Sequence, residues 1–307
     1  MADVPTGSAT IMIRSGTVPI TAHDHGGSGA PLLLLHGAGG NLATVTELAR
    51  MLRPAHRVVT LDLRGHGRSG DGPWTWDAVL DDLATVVDEL DLDRPAVAGL
   101  SLGGMLAALW AARHPDCPGA VSLDGNPPPA RPEDLAGLDP DRAAAELARL
   151  RQVFAAMAGA MARPLTADQV EAALAGQRAQ ARRYGSAEEP WVEAFERNLV
   201  PADGGYRLRP GPRLTEELRV AMETLDLIPV YRDVRSPLLL VLATENLPEQ
   251  QPFAELYAAH RRGLRDRLAT VADNPWLRIV HLDGASHAMV AERPGQLAEL
   301  VTDFLRR

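Results

Sequence analysis

Two hydrophobic rhythms alternate along this chain. Short, almost unbroken apolar runs at Pro31–Leu35, Arg57–Leu61, Pro95–Ala98, Ala120–Leu123, Leu238–Leu242 and Leu277–Leu282 have the length of strands buried on both faces. Between them lie segments that read as helices: Leu42–Leu52, Trp76–Leu90, Gly104–Ala112, Phe253–Leu268 and Gln296–Leu305. In the second of these, Val79, Leu83, Val86, Val87 and Leu90 trace one apolar stripe. Ahead of this series, alternating residues in Ala9–Arg14 and Val18–His23 predict two antiparallel strands joined at Ser15-Gly16. A β-α-β-α order with continuous apolar strands predicts an α/β protein whose mainly parallel sheet is covered on both faces.

The rhythm breaks after Asp124, and no strand pattern returns until Pro237. Helix signals fill the interval. Asp139-Pro140 supplies an N-cap and a first-turn proline, and Thr166 with Gln169 forms a capping box. Asp203-Gly204-Gly205 reads as a turn, and Thr215–Met222 as a further helix. The expected organisation is one sheet domain from residues 1–125 and 236–307, interrupted by a helical cap over residues 126–235.

Candidate chemistry sits where the strands end. Gly99-Leu100-Ser101-Leu102-Gly103 places a serine between glycines at a strand-to-helix turn, the pattern of a nucleophile elbow. A serine hydroxyl is a weak nucleophile until a base takes its proton and a carboxylate orients that base. Of nine histidines, His287 in Asp283-Gly284-Ala285-Ser286-His287 lies in a loop after a strand and before the final helix, which makes it the candidate base. His36-Gly37-Ala38-Gly39-Gly40 also follows a strand. Its turn would aim the backbone N–H of Ala38 at a developing oxyanion, with the N–H of Leu102 as second donor. His66, in Asp62-Leu63-Arg64-Gly65-His66-Gly67, reads as a brace for its own loop.

Composition narrows the classes further. The 307 residues carry a formal net charge of −9, which disfavours nucleic acid as a partner and gives no basic face for a membrane. The chain has no lysine, so arginine carries all of its permanent positive charge. One cysteine, Cys117, excludes an internal disulfide framework and a cysteine-based metal cluster. No histidine pair has metal-ligand spacing, and neither phosphate-loop pattern occurs, so neither metal nor cofactor is expected. Met1–Gly16 shows no basic segment followed by an apolar one, and no apolar run is long enough to cross a bilayer. These features point to a soluble cytoplasmic protein acting on a small molecule.

Leu32-Leu33-Leu34-Leu35-His36-Gly37, Asp62-Leu63-Arg64-Gly65-His66-Gly67-Arg68-Ser69, Gly99-Leu100-Ser101-Leu102-Gly103-Gly104 and Gly284-Ala285-Ser286-His287 together resemble the α/β-hydrolase fold superfamily, in this order and over nearly the whole chain. The resemblance implies a lidded α/β-hydrolase fold. The family hosts esterases, lipases, thioesterases, peptidases, C–C bond hydrolases, perhydrolases and some lyases. Ser101 disfavours the branches that use an aspartate nucleophile. In the commonest family pattern an aspartate follows the strand after the lid. This chain has Ala243-Thr244-Glu245-Asn246 there, with Asn246 in the expected slot. Asp124, 23 positions after Ser101 at the end of the next strand, matches an arrangement found in some branches and is the preferred acid, with Glu245 as the alternative.

The expected activity is therefore hydrolysis of a carboxylic ester or thioester through an acyl-enzyme, on a small to medium, mostly apolar or polyketide-like acyl group. A lyase using the same serine and histidine for acyloxy elimination or C–C cleavage is the alternative, and a non-catalytic binding protein a third. For the pocket wall, the candidates are His36, Trp74, Trp76, Phe154, Met157, Met161, Trp191, Phe195, Met222 and Tyr231. Helix packing explains the spacing of Phe154, Met157 and Met161 more readily than a ligand pocket does. Oligomeric state is not legible.

Overall fold

The computed structural model describes residues 8–306, so the first residues of the stretch considered for a leader lie outside it. The chain opens with β1 (Ala9–Ser15) and β2 (Val18–Asp24), an antiparallel pair turned at Gly16. Next come β3 (Pro31–Leu35), α1 (Thr46–Leu52), β4 (Arg57–Leu61), α2 (Trp76–Glu89), β5 (Ala96–Leu100), α3 (Leu102–Arg113) and β6 (Ala120–Leu123). The interval after β6 holds α4 (Pro140–Met161), α5 (Ala167–Arg183), α6 (Glu189–Arg197), β7 (Leu199–Ala202), β8 (Gly205–Leu208), α7 (Pro212–Thr224) and α8 (Ile228–Asp233). The sheet resumes with β9 (Leu238–Ala243), α9 (Ala254–Ala269) and β10 (Leu277–Leu282), and the chain closes with α10 (Met289–Glu292) and α11 (Pro294–Leu305).

Eight strands form one sheet in the order β1-β2-β4-β3-β5-β6-β9-β10, and every pairing from β4 to β10 is parallel. The period-2 geometry of a strand sorts its side chains between the faces. Leu33, Leu35, Val59, Val97, Leu238 and Leu240 pack on one side, under α2, α3 and α8. Leu32, Leu34, Val58, Ala98, Leu239 and Val241 pack on the other, under α1 and α11. That double cover explains the unbroken apolar runs, and full burial of each leucine contributes roughly 1.5–3 kcal/mol. A third cluster, with Leu147, Leu150, Phe253 and Leu256, joins α4 to α9.

Two local differences from the sequence reading stand out. The stretch 42–52 is a 3-10 turn, Leu42–Val45, followed by α1, because Asn41 caps the amide of Ala43 and starts the tighter turn. The expected strand-free interval contains the β7–β8 hairpin around Gly204, whose φ is 81°. Its strands have four residues each and one holds Pro201, too short and irregular for an alternating signal. Both helix-start signals are present: Asp139 accepts from the amides of Asp141 and Arg142, and Thr166 and Gln169 form the reciprocal capping box. Among the described residues, no helix is long and apolar enough to cross a membrane.

Candidate active site

Ser101 sits between β5 and α3 at φ 55° and ψ −115°, a conformation that costs a non-glycine residue of order 1–3 kcal/mol. The turn is as tight as it is because its flanks lack side chains. A Cβ on Gly99 would stand 2.3 Å from the carbonyl carbon of Gly103, and one on Gly103 would stand 2.6 Å from the carbonyl oxygen of Leu35. The Ser101 amide donates to Leu123 O at 2.9 Å, which ties the turn to β6.

At the end of β6, Asp124 also lies at positive φ, 48°. Its amide donates to Val241 O at 2.7 Å, and its Oδ1 accepts from the amide of Ala243 at 3.0 Å. Its Oδ2 accepts from His287 Nδ1 at 2.6 Å. An ionised carboxylate only accepts, so the neutral imidazole carries its proton on Nδ1 and keeps a lone pair on Nε2. Burial disfavours the charged form of each partner, yet the hydrogen bond and charge of the other outweigh it. The Asp124 pKa is thus held below the ordinary aspartate value, and that of His287 is raised above the ordinary histidine value. The His287 loop is pinned from below: Ser286 donates through its amide and its hydroxyl to the two oxygens of Glu292, at 2.8 and 2.6 Å.

Among the described residues, neither Glu245 nor Asn246 forms a hydrogen bond or ion pair with the imidazole. The Glu245 amide donates to Ala285 O at 3.0 Å, and Asn246 Oδ1 accepts from Arg261 Nη1 at 2.5 Å.

Ser101, Asp124, His287 and Ala38 line one cavity of about 500 Å³. No hydrogen bond links the Ser101 hydroxyl to His287 among the described residues; both groups open onto the same space. A Cβ on Gly37 would come within 3.2 Å of Ser101 Cβ, so the loop after β3 runs directly against the serine. The amides of Ala38 and Leu102 donate to no backbone carbonyl among the described residues.

Most of the expected pocket wall lies elsewhere. His36 is fully buried: Nδ1 donates to Gly37 O at 2.8 Å and Nε2 accepts from the Leu63 amide at 3.0 Å, so the ring buttresses two loops. Burial keeps it neutral by lowering its pKa, and His66 behind it is pushed down to about 3. Trp74 is buried in the main core with the Trp76 ring edge-on at 5.0 Å, and Tyr231 is buried in the same core. Phe154 and Met157 are exposed on α4. Trp191 stacks on Tyr184 and lines a separate cavity of about 260 Å³.

The wall of the cavity that holds Ser101 is mixed in character. Met105, Pro128, Met222 and Tyr257 share it with Glu245, His260, Arg261, Arg262 and Arg265. Of the cap candidates, Met222 reaches it. Nothing in the sequence separates the arginines of α9 from an ordinary solvated helix face.

A polar network missed by motif reading joins α6 to the loops beside Ser101. Asn198, which caps α6, donates from Nδ2 to Gly39 O at 2.9 Å, and its Oδ1 accepts from the Gly67 amide and from Asn41 Nδ2, each at 3.1 Å. The preceding residue, Arg197, pairs with Asp62 at 2.6 Å, both side chains buried. Asp62 in turn accepts from the amides of Leu42 and Arg68, each at 2.8 Å.

Comparison with known proteins agrees with this architecture. A model described as the alpha/beta hydrolase family matches residues 32–300. The chain is 27% identical to 2-(acetamidomethylene)succinate hydrolase of Mesorhizobium japonicum over 282 residues, 91% of this chain and 89% of that protein. Other curated relatives match over 30% to 46% of their own length; among them, pimeloyl-[acyl-carrier protein] methyl ester esterase of Chromobacterium violaceum is 38% identical over 33% of this chain and 39% of that protein. The crystal structure of E-2-(acetamidomethylene)succinate hydrolase superposes with a TM-score of 0.71 at 24% identity, covering 98% of this chain and all of that one (100%). On the match across most of its length and on the shared fold, the chain belongs to the alpha/beta hydrolase family.

Proposed function

We propose that this protein is a serine-dependent hydrolase that cleaves a carboxylic ester or thioester of a small to medium acyl group through an acyl-enzyme. The observation that carries this reading is the 2.6 Å bond between His287 Nδ1 and Asp124 Oδ2 in the cavity onto which Ser101 opens. Ser101 Oγ attacks the acyl carbon while His287 Nε2 takes its proton, and Asp124 orients and stabilises the resulting imidazolium. The amides of Ala38 and Leu102 receive the oxyanion, and losing one such donor costs about 3–4 kcal/mol of transition-state stabilisation. Collapse breaks the bond to the alcohol or thiol, which leaves with the proton from His287. Water, deprotonated by the same imidazole, then attacks the acyl-enzyme, and Ser101 departs with its proton restored.

A cavity of about 500 Å³ suits an acyl group of modest size. The names of the relatives, a succinate-derivative hydrolase and a methyl ester esterase, agree with bond cleavage by water. Turnover of short-chain esters in H₂¹⁸O tests the reading. The released acid is expected to carry one solvent oxygen. A product without label, accompanied by an alkene, would replace hydrolysis with elimination.

A further inference from the structure

α9 turns two arginines toward the cavity that holds Ser101. Arg261 and Arg265 stand four positions apart on this helix and both line the wall. Residues at that spacing share a helix face, so their like charges meet side by side. Arg262, the third arginine of the wall, is already committed, since its Nε and Nη2 both donate to Ala136 O, at 3.2 and 3.0 Å. Arg261 and Arg265 form no ion pair within 4.0 Å among the described residues. Two carboxylates also face the cavity: Asp124 is engaged by His287, and Glu245 stands near enough to Arg261 for its charge to be felt without pairing.

Asn246 holds the Arg261 guanidinium at the wall without an ion pair. Its Oδ1 accepts from Arg261 Nη1 at 2.5 Å, which fixes one arm of the fork and supplies no negative charge. This is the slot in which the sequence pattern led one to expect an aspartate. An aspartate there would form an ion pair with Arg261; the amide holds one nitrogen of the fork, and the other donors have no hydrogen bond among the described residues. Burial holds the Arg261 pKa below the ordinary arginine value; the charges of Glu245 and Asp124 act the other way, and Arg265 adds a smaller repulsion. An anion at this spot relieves both costs. A guanidinium fork matches the two oxygens of a carboxylate.

We propose that Arg261, oriented by Asn246 and reinforced by Arg265, is a binding site for a carboxylate carried by the substrate, so that the preferred ester or thioester is that of a carboxylate-bearing acid rather than a wholly apolar one. The inference deepens the hydrolase reading and rests on it, but its test does not require turnover. In a Ser101→Ala background, binding of monomethyl succinate, glutarate and adipate is measured by calorimetry beside neutral methyl esters of equal length. At least one hemiester is expected to bind tenfold or more tightly than its neutral counterpart. Arg261→Gln is expected to remove that preference, and Asn246→Asp to reduce it, because the new carboxylate neutralises the fork. The melting temperature of each variant reports whether it is folded. Equal binding of hemiesters and neutral esters, or a preference that survives Arg261→Gln, would overturn the proposal. Because binding is read without the serine, failure of the hydrolase reading appears separately, as wild-type protein that turns over neither class of ester.

Discussion

Asp124 joins a left-handed backbone to a carboxylate engaged at both oxygens. Its backbone sits at φ 48°, its Oδ1 accepts from the Ala243 amide at 3.0 Å, and its Oδ2 meets His287 at 2.6 Å. In the proposed mechanism Asp124→Asn keeps the shape but leaves the imidazole in the wrong tautomer, so kcat should fall by about 10⁴. The pH profile carries the same logic. The base acts when neutral, and its pKa is raised above 6.5, so kcat/KM is expected to fall as pH drops through a limb lying above 6.5. In Asp124→Asn the raising partner is gone and burial remains, so the limb of the residual activity moves to lower pH. A limb that stayed in place would remove Asp124 from the role. The residue scale was partly legible in advance: Ser101, Asp124 and His287 stand at strand ends in a recognisable order. The side chains that hold them were not, since Ser286 and Glu292 at 2.6 Å look like any serine and glutamate until the loop is folded.

Elements determine how firmly the proposed oxyanion donors are placed. The loop after β3 carries Ala38, and the Gly39 carbonyl next to it is held from α6 by Asn198 Nδ2 at 2.9 Å. Gly67 and Asn41 lock the other end of that amide. Asn198→Ala frees the loop without touching Ser101 or His287. A missing oxyanion donor costs about 10²–10³ in kcat, and a tilted one should cost less, about tenfold. The expected outcome is that loss in kcat with KM little changed, and weaker binding of a boronic acid that mimics the tetrahedral state. An unchanged kcat would reduce Asn198 to a structural tie. This tie was invisible in the sequence because it joins residues 159 positions apart through an amide that belongs to no motif. Strands and helices of the sheet layer were far easier to read. Their apolar runs report burial directly, whereas the short β7–β8 hairpin and the arginine face of α9 depend on what packs against them.

At the scale of the whole molecule, parallel pairing from β4 to β10 sends the strand ends to one edge, where Ser101, Asp124 and His287 emerge. The apolar layers on both faces of the sheet fix that edge, so three residues spread over nearly two hundred positions reach a single cavity. The pocket wall is where sequence reasoning went furthest astray. Aromatic residues such as Trp74 and Tyr231 were candidates by chemistry, but the fold uses them as core. The central claim is that Ser101 is the nucleophile, and labelling with a fluorophosphonate followed by peptide mass spectrometry tests it most directly. A single adduct on Ser101 is predicted, absent in Ser101→Ala and strongly slowed in His287→Ala. No adduct on folded wild-type protein, or one on another residue, would contradict it.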